Sequence, residues 1–114
     1  MKGIVITTDN ELEVKDFGEP LHITLGEAVG GYIEVVRLAG PYRMIVDEEG
    51  LLKDYEVNPM ASYLYNGNYI VGNAVIMKEG YVDGEPDIVG LNDTEAEGFM
   101  RDLKAIQKFL EKLI

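Results

Sequence analysis

Few residues of this chain have side chains that commonly act in catalysis, and they are separated along the sequence. The chain contains one histidine, His22, one serine, Ser62, and no cysteine. A histidine activates a nucleophile only when the two are partnered, and Ser62 lacks the flanking glycines of a nucleophile elbow. Without cysteine the chain has no thiol nucleophile and no disulfide, and one histidine is a poor basis for a zinc site. The sequence therefore argues against a hydrolase.

Three adjacent carboxylates form the first candidate site for a metal ion. Asp47, Glu48 and Glu49 precede Gly50, and Ca²⁺ and Mg²⁺ prefer oxygen ligands. The same residues are common in a solvated turn between two strands. Because three adjacent acids on a turn rarely converge on one point, we expect no specific divalent ion there.

A second set of carboxylates alternates along the chain like the start of a calcium-binding loop. These residues are Asp83, Glu85 and Asp87. Pro86 interrupts the pattern, and Thr94 holds the twelfth position, where an EF-hand requires glutamate. We therefore expect neither a calcium loop nor any cofactor in this protein.

Tyrosine is the most frequent aromatic residue, with seven tyrosines and no tryptophan in the chain. Three of the tyrosines flank a turn predicted at Asn66-Gly67. They form either an exposed patch, since tyrosine is enriched at protein interfaces, or a set of amphipathic rings at the margin of a sheet. The candidate partner surface consists of Tyr63, Tyr65, Tyr69, Asp47, Glu48 and Glu49.

Acidic residues outnumber basic residues by about two to one. The chain has 21 aspartates and glutamates against 10 lysines and arginines, for a net charge of −11. Before Asn92 there are 16 acids and 6 bases, a net charge of −10. Because lysine and arginine neutralise phosphates in nucleic-acid complexes, this balance argues against direct binding to nucleic acid. An acidic surface suits a basic protein partner, or it serves only solubility.

The missing catalytic residues and the acidic charge favour a small non-enzymatic binding or regulatory protein that acts on a protein partner. A narrower version of this hypothesis is that the acidic surface mimics nucleic acid. One alternative is a small-molecule or metal-dependent enzyme that uses carboxylates such as Glu34 or Asp47. Another alternative is a self-assembly module, in which a sheet edge or a helix pairs with itself.

The length and the hydrophobic pattern predict one α+β domain over residues 1–114, with a mostly antiparallel sheet of about five strands. Strands are predicted at residues 2–8 and 11–16, joined by a tight turn at Asp9-Asn10. Residues 32–38 are rich in aromatic and β-branched side chains and are interpreted as the central strand. Further strands are predicted at residues 42–47, 69–77 and 87–89.

Two short helices are predicted from capping motifs. The first covers residues 24–29, with Thr24 as the N-cap and Glu27 completing a capping box. The second begins at Pro59, which suits the first helical position, and Asn58 is its N-cap. If Asn58 acts only as a cap, serine or aspartate should replace it at little cost in stability.

The C-terminal helix is the best defined element in the sequence. Asn92 is a suitable N-cap and Glu95 stands in the capping-box position. Apolar residues then recur at alternating spacings of three and four, which predicts an amphipathic helix packed on one face of the sheet. These residues are Ala96, Phe99, Leu103, Ile106, Leu110 and Leu113.

Membrane insertion and secretion are not expected from the sequence. No apolar stretch approaches the roughly 20 residues that span a bilayer. The first residues lack the apolar region and cleavage site of a signal peptide. We therefore expect a cytoplasmic protein.

Four motifs occur along the chain in an informative order. They are Gly30-Gly31-Tyr32-Ile33-Glu34-Val35-Val36, Asp47-Glu48-Glu49-Gly50 with Lys53, Asn58 with Ala61, and Ile70-Val71-Gly72-Asn73. In this order the chain resembles the uncharacterised family known as domain of unknown function 3846, which is common in phages, plasmids and conjugative elements. The resemblance covers most of the chain. It implies a compact α+β protein and a mobile-element origin, and it carries over no catalytic residues.

Overall fold

The computed structural model describes residues 1–113, which form a six-stranded sheet and three α-helices. The strands are β1 (Lys2–Ile6), β2 (Leu12–Asp16), β3 (Ile33–Arg37), β4 (Tyr42–Asp47), β5 (Ala74–Val82) and β6 (Glu85–Val89). The helices are α1 (Leu21–Val29), α2 (Pro59–Leu64) and α3 (Asp93–Glu111), with a 3-10 turn at Gly50–Leu52. These strands pair in antiparallel fashion, which confirms the predicted α+β class, with six strands where about five were predicted.

The strand order is β2-β1-β5-β4-β3, and β6 pairs with the second half of β5. The central strand is therefore β5, whereas β3 lies at an edge and pairs only with β4 among the described residues. The interpretation of residues 32–38 as the central strand is wrong. Aromatic and β-branched residues fit any half-buried pleated surface, so they do not reveal where in the sheet a strand lies.

β5 begins at Ala74, later than the predicted start at residue 69. Gly72 has a φ of 76°, which breaks the extended backbone, and Val71 forms an isolated bridge with the segment before α2. At its other end β5 leads into β6 through a two-residue turn at Asp83-Gly84. Both turn residues have positive φ (52° and 81°), as a type I′ hairpin turn requires.

Each face of the sheet carries at least one helix, and the core therefore has two sides. Under α2 and α3 the buried residues are Ile4, Ile6, Met60, Ile76, Leu91, Ala96 and Leu103. Under α1 they are Val5, Phe17, Leu25, Val29, Ile45, Val75 and Met77. Leu103 is only 1% exposed, which confirms that α3 packs its apolar stripe on one face of the sheet. Leu113, predicted as the last residue of the stripe, lies beyond the end of α3 and is 68% exposed.

The start of α3 forms the predicted capping box and is tied to the sheet. The side-chain oxygen of Asn92 accepts a hydrogen bond from the Glu95 N–H at 2.8 Å, and Glu95 Oε1 accepts one from the Asn92 N–H at 2.9 Å. Glu95 also accepts hydrogen bonds from Lys78 at 2.7 Å and from the Tyr42 hydroxyl at 3.1 Å. The Tyr42 ring meets the Phe99 ring edge-on at 4.6 Å. The cap thus also anchors α3 to β4 and β5.

Asn58 caps α2, as predicted, because its Oδ1 accepts a hydrogen bond from the Ala61 N–H at 3.1 Å. It is also fully buried. Its Nδ2 donates to the carbonyl oxygens of Ile6 at 2.9 Å and Gly72 at 3.0 Å. A carboxylate only accepts hydrogen bonds, so aspartate is not a suitable replacement, and the expectation of a cheap exchange is revised.

α1 begins at Leu21, one turn earlier than predicted, and Pro20 occupies the N-cap position without a side-chain cap. The prediction of Thr24 as the N-cap is wrong. The Thr24 N–H donates to the Pro20 carbonyl at 3.2 Å, and its hydroxyl donates to the carbonyl of Gly18 at 2.8 Å. The helix ends, as predicted, at Gly30, whose φ of 98° lies in the left-handed region that favours glycine.

Candidate functional site

Asp47 ends β4 and organises the loop that follows it. Its carboxylate Oδ2 accepts hydrogen bonds from Lys53 Nζ at 2.7 Å and the Tyr55 hydroxyl at 2.9 Å, and Oδ1 accepts one from the Glu49 N–H at 2.9 Å. The residue is 5% exposed, whereas Glu48 and Glu49 are exposed. The interpretation of all three acids as one solvated turn is therefore wrong for Asp47, which is a buried group that closes the loop.

The two glycines after α1 make room for this ion pair. A Cβ atom on Gly31 would lie 2.8 Å from Lys53 Nζ and 3.0 Å from Asp47 Oδ2. Lys53 Nζ also donates a hydrogen bond to the Gly30 carbonyl at 3.1 Å. A side chain at Gly31 would require Lys53 Nζ to move, so the absence of a Cβ atom at Gly31 lets the pair lie close to this segment.

The pKa values at this pair favour a structural role. Burial by itself raises the pKa of Asp47, but hydrogen bonds from Lys53, the Glu49 N–H and Tyr55 outweigh it, so the pKa lies below its usual value of 3.8. The hydrogen bond to Asp47 raises the pKa of Lys53 above 10.5. A general acid or base works best with a pKa near the ambient pH. Both shifts lead away from neutral pH, so the pair is suited to holding the loop.

A cleft of about 170 Å³ lies between β3, the end of β4, the 3-10 turn and the segment before β5. We call it the β3 cleft. The buried part of its lining is mainly apolar and includes Val36, Val46 and Ile70, while Glu34, Glu48, Leu51 and Tyr69 are its exposed residues. Asp47, Gly50, Tyr65 and Val71 complete the lining. The cleft therefore combines an apolar interior with an acidic and aromatic rim.

The structure brings four of the six residues of the candidate partner surface to this cleft. They are Asp47, Glu48, Tyr65 and Tyr69. Glu49 instead lines an open groove of about 500 Å³ beside α1, together with Lys53. Tyr63 lies on α2, and its ring packs 6.4 Å from that of Phe109 on α3. Tyr63 therefore does not line the β3 cleft with the other two tyrosines.

The structure keeps the two candidate catalytic residues apart. His22 is exposed on α1, and Ser62 is buried on α2 over the opposite face of the sheet. The Ser62 hydroxyl accepts a hydrogen bond from the Ile70 N–H at 2.9 Å and donates to the Ile70 carbonyl at 3.3 Å. Ser62 thus holds the segment before β5 against α2.

The candidate calcium ligands lie on the β5–β6 hairpin. Asp83 is in its turn, and Glu85 and Asp87 are exposed on β6. Within residues 1–113, no three histidine, aspartate or glutamate side chains come together as a metal site would require. No helix in the same range is long and apolar enough to cross a membrane.

Sequence reasoning missed several large apolar side chains that lie exposed. Leu51, which lines the β3 cleft, is 78% exposed, and Leu52 beside it in the chain is 84% exposed. Tyr32, which lines the groove beside α1, is 78% exposed. Apolar residues are assigned to the core by their periodicity, and the 3-10 turn is too short to show any. The one indication in the sequence was the position of Leu51-Leu52 between an acidic turn and Lys53-Asp54.

The chain belongs to the family described as "Domain of unknown function (DUF3846)", whose model matches residues 1–111. This confirms the resemblance seen in the sequence. No curated protein matches the chain. Among solved structures, the small RNA methyltransferase HEN1 is similar to 83% of this chain with a TM-score of 0.60 and 16% sequence identity. The chain spans 15% of that protein's chain, so the similarity shows the fold alone.

Proposed function

We propose that this member of the family is a non-enzymatic binding protein that holds a basic protein partner at the β3 cleft. The observation that carries the proposal is the composition of the cleft rim, where the exposed carboxylates Glu34 and Glu48 stand beside exposed Leu51 and Tyr69. Neither carboxylate takes part in an ion pair within residues 1–113. A partner with cationic and apolar side chains complements both features.

Most basic residues before α3 are already paired with carboxylates. Four of the six bases before α3 are engaged with carboxylates: Lys2 with Asp93, Arg43 with Glu79, Lys53 with Asp47, and Lys78 with Glu95. These bases offer little positive charge to the cleft rim. The excess negative charge therefore attracts basic partners and raises their rate of association at low salt.

The size of the cleft and its titrating groups favour binding over catalysis. Small-molecule sites usually enclose about 300–1,000 Å³, and the β3 cleft encloses about 170 Å³. That space suits one side chain of a partner. The pKa of Asp47 is lowered, which disfavours the alternative of a carboxylate enzyme that uses Asp47 as a proton donor or acceptor near neutral pH.

Nucleic-acid mimicry is a narrower form of the same proposal, and the acids are poorly placed for it. A mimic needs carboxylates in a row that follows a phosphate backbone. Here exposed acids occupy both edges of the sheet and the hairpin, for example Glu13 on β2, Glu34 on β3 and Glu85 on β6. We therefore propose a protein partner without mimicry. A mobile-element origin and a cytoplasmic location belong to the proposal and rest on the family resemblance and the acidic, cysteine-free sequence.

Affinity capture from the native host with matched variants tests the proposal. The bait variant is Glu34→Gln with Glu48→Gln, and the control is Glu85→Gln with Asp87→Gln, which removes the same charge from the hairpin. We expect a basic protein that is captured by the wild type and the control, and is lost with the cleft variant and at high salt. If every captured protein is retained equally by all three baits, the proposed function is wrong.

A further inference from the structure

The free edge of β3 is a feature that the proposed function does not explain. β3 pairs with β4 over five residues, from Ile33 opposite Asp47 to Arg37 opposite Arg43, without a bulge or a proline. Within residues 1–113 its other edge has no strand partner. Natural proteins usually protect such an edge, because its unpaired backbone groups can pair with another chain.

The hydrogen-bond pattern identifies the backbone groups at this free edge. The Tyr32 carbonyl accepts a hydrogen bond from the Glu48 N–H at 2.8 Å, and the Leu38 N–H donates to the Tyr42 carbonyl at 3.1 Å. In an antiparallel pair, residues alternate between bonding to the partner strand and pointing away from it. Between these two bonds, the residues whose backbone N–H and C=O groups point away from β4 are therefore Ile33, Val35 and Arg37.

The β3 cleft lies beside this edge on the face of the sheet that carries α2. Glu34 and Val36 of β3 both line it. Alternate side chains of an added strand point to opposite faces, so one side chain of such a strand would enter the cleft while the backbone bonds to β3. The next side chain would lie over Val35, which is 45% exposed, and would contact it on the other face.

Charge and chemistry define which side chain the cleft takes. The apolar lining at Val36 and Ile70 suits the stem of a long side chain, and a cationic head would lie among Glu34, Glu48 and Tyr69. At the other end of β3, Arg37 is exposed and forms no ion pair within the described residues. The added strand is therefore basic near Glu34 and neutral or acidic near Arg37.

We propose that an extended segment of the basic partner adds to the free edge of β3 as a further strand and places a lysine or arginine side chain in the β3 cleft. This inference rests on the proposed function and specifies its mode of binding. Strand addition draws affinity from main-chain hydrogen bonds and specificity from pockets for alternate side chains. β3 and its cleft supply both.

A peptide experiment on the wild-type protein tests the side-chain part of the inference. The probe is a pool of synthetic peptides whose extended core matches the five residues of β3, with arginine fixed at one position and valine, threonine or serine at the others. A matched pool carries glutamate in place of arginine. We expect the arginine pool to bind with at least about tenfold higher affinity, and to slow hydrogen exchange at the N–H groups of Ile33, Val35 and Arg37. Equal binding of both pools, or no binding, overturns the inference.

A pair of proline variants tests strand addition. Val35→Pro removes a free donor at the β3 edge, where proline is tolerated because the N–H makes no ladder bond. Val14→Pro is the matched control on the other edge strand. The Val14 N–H also points away from its neighbour β1, as the bonds at Glu11 and Phe17 show, and Val14 is 42% exposed. We expect only Val35→Pro to lose the arginine peptides, with both variants folded by circular dichroism.

Three outcomes separate the inference from the proposed function. If Val35→Pro binds the peptides like the wild type, strand addition is wrong. The proposed function still stands in that case if the double variant, Glu34→Gln with Glu48→Gln, loses the captured partner. If the double variant retains every captured protein, the proposed function itself is wrong. If the wild type is a dimer in analytical ultracentrifugation and Val35→Pro is a monomer, the edge takes a second copy of this chain, and the inference is overturned.

Discussion

Lys53 Nζ lies 2.7 Å from Asp47 Oδ2, and this ion pair closes the loop that carries the exposed rim of the β3 cleft. The Asp47 side chain is 1% exposed and that of Lys53 is 36% exposed, so water contacts the pair mainly through Lys53. Glu48, Glu49 and Leu51 lie between the two partners in the chain. The pair therefore sets the shape of the surface at which we propose that a partner binds.

The first prediction concerns this pair. Asp47→Asn should lower the free energy of unfolding at pH 7 by about 1.5–3 kcal/mol, because a buried hydrogen bond to a charged group is lost. The folded-state pKa of Asp47 lies below 3.8, so the stabilisation is complete above that value and is lost as the pH falls through the folded-state pKa. Urea unfolding of both proteins from pH 7 down to acid should show the difference shrinking only below about pH 4.

Glu49→Gln is the control for that experiment, since Glu49 is exposed and only its backbone N–H bonds to Asp47. Its stability should stay within about 0.5 kcal/mol of the wild type. A loss from Glu49→Gln as large as that from Asp47→Asn would contradict the view that Asp47 alone of these acids is structural.

The second prediction concerns Asn58, which bonds to α2, β1 and the segment before β5 at once. Asn58→Ala should cost at least about 2 kcal/mol, because it leaves buried carbonyl groups without donors. Asn58→Asp should cost no less, since a carboxylate still accepts from Ala61 but donates to neither Ile6 nor Gly72. Urea unfolding of the two variants measures this order. A stable Asn58→Asp protein would show that the two donated bonds contribute nothing.

The third prediction concerns the face of α3 that packs on the sheet. Leu103 is 1% exposed, so Leu103→Ala should cost about 2–5 kcal/mol through the cavity that it leaves. Lys104 is exposed, and Lys104→Ala should stay within about 0.5 kcal/mol of the wild type. Comparable losses from the two variants in urea unfolding would mean that the packing face is wrong.

The fourth prediction concerns Glu95 at the start of α3. The Asn92 N–H, followed by Lys78 and Tyr42, lowers the pKa of Glu95 below its usual value of 4.5. Its contribution is therefore present above that value and decreases as the pH falls through the folded-state pKa. Glu95→Gln should cost about 1–2 kcal/mol at pH 7 and less in acid, as measured by thermal unfolding over this pH range.

Glu97→Gln is the matched control on the same helix, because Glu97 is exposed and forms no ion pair within residues 1–113. It should leave both the stability at pH 7 and its pH dependence close to those of the wild type. A pH-independent loss from Glu95→Gln would indicate that the shape of the side chain, and not its charge, anchors the helix.

The fifth prediction concerns divalent ions at the turn after β4. Both oxygens of Asp47 already accept hydrogen bonds from protein donors, which leaves Glu48 and Glu49 without a third ligand. Titration calorimetry with Ca²⁺ and Mg²⁺ should therefore show no saturable binding at micromolar concentrations. A one-site isotherm that disappears in Asp47→Asn would overturn this prediction.

Most features that depend on residues within one helical turn could be predicted from the sequence, although the N-cap predicted at Thr24 was wrong. The cap at Asn92 with Glu95, the cap at Asn58 before Pro59 and the end of α1 at Gly30 all appear in the structure. Each is set by backbone groups no more than four residues away, so neighbouring side chains are sufficient to specify it. The stripe of α3 was predictable for the same reason, because a helix repeats every 3.6 residues.

Only the tertiary structure decided which strand is central, which acid is buried and what Asn58 does besides capping. β5 is central and β3 is an edge because of pairings between segments far apart in the chain, and side-chain composition does not encode such pairings. Asp47 is buried because Lys53, Tyr55 and the glycines after α1 meet there. The β3 cleft likewise exists only where β3, the end of β4, the 3-10 turn and the segment before β5 come together. Burial of a group depends on every segment that excludes water from it, and such segments are far apart in the sequence.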